Sequence, residues 1–239
     1  MAKTQLHHAN EKDKYGAYIR SIVYGGLDGI ITTFAIVAGV TGAGLSHTVI
    51  LILGFANLIA DGLSMAAGDF LSTKAKAEYQ GVKRTQERIE IKKHPKLEKK
   101  ELISFYRKEG LSQKDSSTIV SILSKKKKAL VDAILIEELG LVELKESPLK
   151  NGLVTFCSFV MFGFIPLITY LLARVSANVA EQTFIFASVL TAVTMFLLGA
   201  AKIKITPKHW FDSGVEMLLI GGVAAFSAYG IGFIVASII

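Results

Sequence analysis

Asp28 stands within an apolar run, in the stretch Tyr24-Gly25-Gly26-Leu27-Asp28-Gly29. A carboxylate at bilayer depth costs at least ~2.5–3.5 kcal/mol on insertion scales, so it marks an ion or proton path by default. The plainer reading is a protonated or hydrogen-bonded group used for helix packing. Gly25 and Gly29 make a G-x-x-x-G spacing, which lets another helix approach closely here. A second apolar run carries Asn57, Asp61, Met65 and Asp69 at four-residue spacing. On a helix these residues form one slowly drifting polar stripe. Met65 alone reads as core filler. Beside Asp61, and facing Asp28 from another helix, it becomes a soft ligand. Carboxylate with thioether suits Fe2+ or Mn2+ better than Mg2+ or Ca2+.

A third set lies in a lysine-rich block. Glu87, Glu90, Glu98 and Glu101 form two E-x-x-E pairs. Carboxylates three apart share a helix face, and clustered oxygens are what a divalent cation needs. The motif is short and common by chance, so a solvated helix surface is the plain alternative. Glu216 and Met217 sit near one end of the last apolar run, where Glu216 can face water. No phosphate loop, H-E-x-x-H, nucleophile elbow or C-x-x-C is present, so no enzyme is expected and no prosthetic group is implied.

The elements that must position these residues follow from the apolar pattern. The chain has 239 residues, 51% of them hydrophobic, with a mean hydropathy of +0.45. The apolar residues fall in five runs, at about 19–40, 47–71, 152–173, 182–201 and 213–239. Each is close to the ~20 residues a helix needs to cross the hydrocarbon core. An all-α membrane protein with five transmembrane helices is therefore expected. The expected organisation is a polar tail over 1–18, helices 1 and 2 over 19–73, a cytosolic helical domain over 74–150, and helices 3 to 5 over 151–239. Residues 1–18 lack an apolar signal core, so the first run is expected to serve as insertion signal. His7 and His8 read as part of a disordered tail.

Orientation follows from basic residues. Of the 27 Lys and Arg, 19 lie in 74–150, four in the N-terminal segment and three in the loop after run four; only Arg174 lies on the other side. The N-terminus and residues 74–150 are thus expected in the cytosol, with the C-terminus opposite. A net charge of +7 is absorbed by this bias, so no nucleic-acid partner is expected; the lipid bilayer is. Lys125–Lys128 reads as a solvated basic turn, with acidic headgroups as the alternative contact. Cys157 is the single cysteine, so no intrachain disulfide forms.

Within 74–150, residues 74–91 continue the second span as a charged helix. His94-Pro95 breaks it, and Pro95 suits the first turn of the next helix. That helix spans 96–108 and ends at Gly110. Further segments are expected over 112–128 and 129–141. Pro166 is expected to kink run three.

Tyr24-Gly25-Gly26-Leu27-Asp28-Gly29-Ile30, Ser64-Met65-Ala66-Ala67-Gly68 and the paired glutamates around Pro95 resemble the vacuolar iron transporter family. So do Glu138-Leu139-Gly140-Leu141, Phe196-Leu197-Leu198-Gly199-Ala200 and Tyr229-Gly230-Ile231-Gly232. The resemblance covers nearly the whole chain in order. It implies a homodimer with an ion path at the subunit interface and a cytosolic metal-binding domain between helices 2 and 3. It implies export of cytosolic Fe2+, and often Mn2+, in exchange for protons. Asp28 and Met65 match the family's translocation pair, and Glu87, Glu90, Glu98, Glu101 and Glu138 match its cytosolic ligands. Asp61 and Asn57 are further candidates to line the path. Two positions depart from the family pattern. Ile134 and Leu135 stand where many members have methionines, and Asn57 where many have glutamate. The membrane would be that of the cell or of a vacuole-like organelle. A membrane-anchored metal sensor or buffer without transport is the competing reading; an intramembrane hydrolase built on Asp28 and Asp61 has less support.

Overall fold

The computed structural model describes the backbone of residues 2–137, 139–141, 147–174, 182–201 and 209–239, and their side chains from residue 18 onward. Every regular element among the described residues is helical: α1 (Ala2–Gly42), α2 (His47–Lys93), α3 (Pro95–Lys108), α4 (Gln113–Leu123), α5 (Lys127–Glu137), α6 (Pro148–Gly163), α7 (Ile165–Leu172), α8 (Thr183–Ala201) and α9 (Trp210–Ile238). The spans Tyr18–Gly42, His47–Lys93, Pro148–Leu172, Thr183–Ala201 and Trp210–Ile238 are long and apolar enough to cross a membrane. They match the five expected runs to within a few residues at most ends. The charged continuation of the second run is part of the same helix.

The N-terminal segment corrects one expectation. It is helical from Ala2 rather than disordered. Its Lys, Glu, Gln, Ala and Leu content favours helix, and Gly16 is its first helix breaker. At the other end of α1, Gly44 takes φ +67°. That left-handed turn lets the Leu45 amide donate back to the Val40 carbonyl, closing the helix.

The chain divides into two compact units, residues 1–71 with 146–239, and residues 72–145. In the first unit α1 packs against α6, α7, α8 and α9, and α8 packs against α7 and α9. The core joins Val37, Ile50, Leu58, Phe159, Leu167 and Tyr170. Glycines set the closest approaches. A Cβ on Gly29 would meet the Phe159 carbonyl, and one on Gly25 would lie 2.6 Å from the Thr155 carbonyl oxygen. The expected close contact at this spacing is thus made by α6. Run three breaks at Phe164, between α6 and α7, with Pro166 in the first turn of α7; proline removes a helix donor and clashes with the preceding turn. The outer face of α9 is apolar and open, with Phe226 82% exposed and Leu219 and Val223 beside it. Such a face suits lipid and not water.

The second unit is built from the charged half of α2 with α3, α4 and α5. Ile91, Leu102, Val120, Leu130, Val131, Ile134 and Leu135 form its core. His94 separates α2 from α3, with Pro95 at the first helical position. Ser112 caps α4 by accepting the Asp115 amide at 3.1 Å. The third segment ends at Leu123, earlier than the expected 128. The Ser124 hydroxyl donates to the Val120 carbonyl, and Lys125 and Lys126 form the turn that leads into α5.

Candidate functional site

In the membrane unit the polar residues converge from two helices. Asp28 on α1 is half-buried, and its carboxylate lies close enough to Asp61 on α2 for the two charges to interact. The Thr32 hydroxyl donates to the Asp28 carbonyl at 2.8 Å, so it serves the backbone and leaves the carboxylate alone. Met65, one turn from Asp61, is half-buried against the apolar cluster that holds Phe159. Asn57, one turn the other way, has its amide nitrogen buried without a hydrogen-bond partner among the described residues. A donor left in that state carries a desolvation cost of about 1–3 kcal/mol. Together these residues offer one carboxylate on α1, and a carboxylate, a thioether and a carboxamide along about two helical turns of α2.

Asp69 closes the stripe differently. Its Oδ2 accepts the Ser21 hydroxyl at 2.9 Å and the Thr155 hydroxyl at 2.6 Å. The carboxylate that spacing alone would put on the path therefore ties α2 to α1 and α6. No sequence spacing foretells this, because serine and threonine are common in membrane helices.

The second unit brings its carboxylates together by a different route. Glu87 on α2 is half-buried. Burial pushes its carboxyl above the usual range, and the charges of Glu90 and, from α3, Glu101 push the same way against an opposing pull from Lys83. Glu87 and Glu101 are thus electrostatic neighbours across the Pro95 break. Glu98 is 6% exposed, in the first turn of α3, where a helix N-terminus favours negative charge. Glu90 and Glu101 are exposed. Glu138 lies outside the described residues. Ile134 and Leu135 are 1% and 3% exposed in the core of this unit, so the positions lacking family methionines here fill space.

Two ties in this unit have no signal in sequence. Arg84 on α2 donates to Asp132 on α5 at 2.5 Å. Tyr106 on α3 donates its hydroxyl to Glu137 on α5; burial and then that carboxylate hold the phenol above its ordinary pKa. Among the described residues no three His, Cys, Asp or Glu side chains converge as a ready metal site. The described carboxylates influence one another in two small groups: Asp28 with Asp61, and Glu87 with Glu90 and Glu101.

The profile of the VIT family matches residues 19–233. The chain belongs to the VIT family. A protein named vacuolar iron transporter in Toxoplasma gondii is 37% identical over 232 residues, 95% of this chain and 77% of that one. A vacuolar iron transporter of Plasmodium falciparum is 32% identical over 234 residues, 95% of this chain and 84% of its own length. Vacuolar iron transporter 1 of Arabidopsis thaliana is 29% identical over 226 residues, 93% and 88% of the two chains. The VIT match takes in all five apolar helices and the whole second unit. This VIT-family chain is a multi-pass membrane protein.

Proposed function

We propose that this chain transports a divalent transition metal, Fe2+ or Mn2+, out of the cytosol in exchange for protons, and that it does so as a homodimer. The observation that carries the reading is the Asp28–Asp61 pair inside a five-helix membrane unit. A carboxylate at that depth needs a compensating positive charge. A proton and a metal cation are alternative ways to supply it, so exchanging one for the other moves both. Asp28 and Met65 bind the ion, with Asp61 and Asn57 lining the path. The relatives' names, vacuolar iron transporters, point to the same cargo.

Glu87, Glu90, Glu98, Glu101 and Glu138 collect the cation on the cytosolic side. Oxygen ligands there begin the replacement of water, which lowers the cost of entering the path. The lysine-rich charge bias supports a cytosolic location for residues 74–150 and the N-terminus, with the C-terminus across the membrane.

Purified protein in lipid vesicles tests this. Fe2+ and Mn2+ flux is expected to rise several-fold when a pH gradient is imposed with the acidic side opposite the metal source, and Zn2+ and Co2+ are expected to move more slowly. A membrane-anchored sensor or buffer would bind metal but give no flux under either condition, and that result would sink the proposal.

A further inference from the structure

Three helices of the membrane unit meet tightly at one place. The Thr155 hydroxyl on α6 and the Ser21 hydroxyl on α1 both donate to Oδ2 of Asp69 on α2. Thr155 is fully buried and Ser21 is 4% exposed. Glycines flank the junction. A Cβ on Gly25 would lie 2.6 Å from the Thr155 carbonyl oxygen, and one on Gly152 would lie 2.7 Å from the Ala66 carbonyl oxygen. The backbones here cannot slide without breaking either a hydrogen bond or a packing contact.

The register of this junction relates it to the acid pair. From Ser21 to Asp28 on α1 is seven residues; from Asp69 back to Asp61 on α2 is eight. At about 1.5 Å per residue these are axial steps of about 10.5 and 12 Å. α1 and α2 are successive helices joined by residues 43–46, and both cross-helix pairs fit a single antiparallel register. A tie at Ser21–Asp69 therefore brings Asp61 level with Asp28.

We propose that Asp69 is a positioning residue: by holding Ser21 and Thr155 it sets the register of α2 against α1 and α6, and so keeps Asp61 opposite Asp28. What it needs for this is an oxygen acceptor at the right place. It is not itself an ion ligand. The inference rests on the transport reading only for the consequence of misalignment; the alignment itself can be measured without transport.

The test uses the full chain in vesicles and two readouts. The first is metal flux. The second is bridging by a short bifunctional thiol reagent between cysteines placed by Asp28→Cys and Asp61→Cys, in a Cys157→Ser background. Asp69→Leu is expected to cut bridging at least fivefold and, in the chain with both acids intact, to cut flux at least tenfold. Asp69→Asn retains a carbonyl acceptor and is expected to keep both readouts within about threefold of the parent. Thr155→Val keeps the shape and removes one donor, so it provides the same test should Asp69→Leu not assemble; it is expected to lower both readouts. The proposal is overturned if Asn behaves like Leu, because charge would then be what matters. It is equally overturned if Thr155→Val leaves bridging and flux at parental levels. Native flux in Asp28→Asn would instead defeat the transport reading, while the bridging arm would still report on the register.

Discussion

The two units use the same carboxylate group under opposite conditions. In the membrane unit Asp28 and Asp61 are brought together by helices packed glycine to backbone, among residues with almost no charge. In the second unit Glu87, Glu90, Glu98 and Glu101 sit on helices rich in lysine, two of them exposed. An isolated pair in the low-dielectric region has strong and costly interactions. Carboxylates on a wet, lysine-rich surface have weak and screened ones. The difference is what the proposed transport would require: reversible gathering of cations in the second unit and exchange of charge in the membrane unit.

The largest expected effect would break this comparison outright. Asp28→Asn keeps the shape and removes the charge, and flux in vesicles is expected to fall at least 100-fold with the protein still folded. Next comes the packing that holds the pair. In Gly29→Ala the new methyl meets the Phe159 carbonyl, a backbone atom that cannot turn aside. Overpacking of this kind costs about 1–3 kcal/mol, read as a lower melting temperature in detergent with flux reduced in proportion.

Smaller effects are expected in the second unit. Glu98→Ala with Glu101→Ala should weaken calorimetric metal binding to the full chain about tenfold, as removal of two oxygen ligands implies. Flux at saturating metal should change little. Unchanged affinity would remove these residues from the ligand set. Arg84→Met breaks the partly exposed tie to Asp132. It should loosen α5 by about 1 kcal/mol, seen as faster amide exchange there and no change in the exchange of α6.

The smallest effect is one of pH. Glu87 has its folded pKa raised above the ordinary 4.5. The unfolded chain therefore releases this proton first, and the contribution of Glu87 to stability is full below about pH 4.5 and is lost as pH rises through the folded value. Glu87→Gln should flatten that part of the stability–pH curve. A bound cation should reverse the sign, so metal affinity should climb over the same pH range.

Much of this organisation is legible in sequence because membranes narrow the options. Five apolar runs of the right length become helices, and an aspartate inside one of them is rare enough to notice. The four-residue spacing of Asn57, Asp61, Met65 and Asp69 placed them on one face. The Pro95 break made it reasonable that glutamates on either side should be neighbours, as Glu87 and Glu101 are. What stayed hidden depends on pairing between distant residues of common type. Nothing near Asp69 announces Ser21 or Thr155, and nothing near Arg84 announces Asp132. The burial of Glu98 follows from how α3 packs, which no local pattern encodes. The helical N-terminal segment is not legible in sequence, because a polar stretch of good helix formers resembles a solvated tail until it continues an existing helix.

If translocation depends on the membrane pair and collection on the second unit, the two sets of carboxylates should fail in different ways. Full metal-concentration curves of flux, run side by side for the parent, Asp28→Asn and the Glu98→Ala/Glu101→Ala double variant, test this most directly. Asp28→Asn is expected to have no flux at any concentration, while the double variant is expected to reach the parental maximum at about tenfold more metal. Substantial flux in Asp28→Asn, or a double variant whose maximum collapses while its half-saturation stays put, would contradict it.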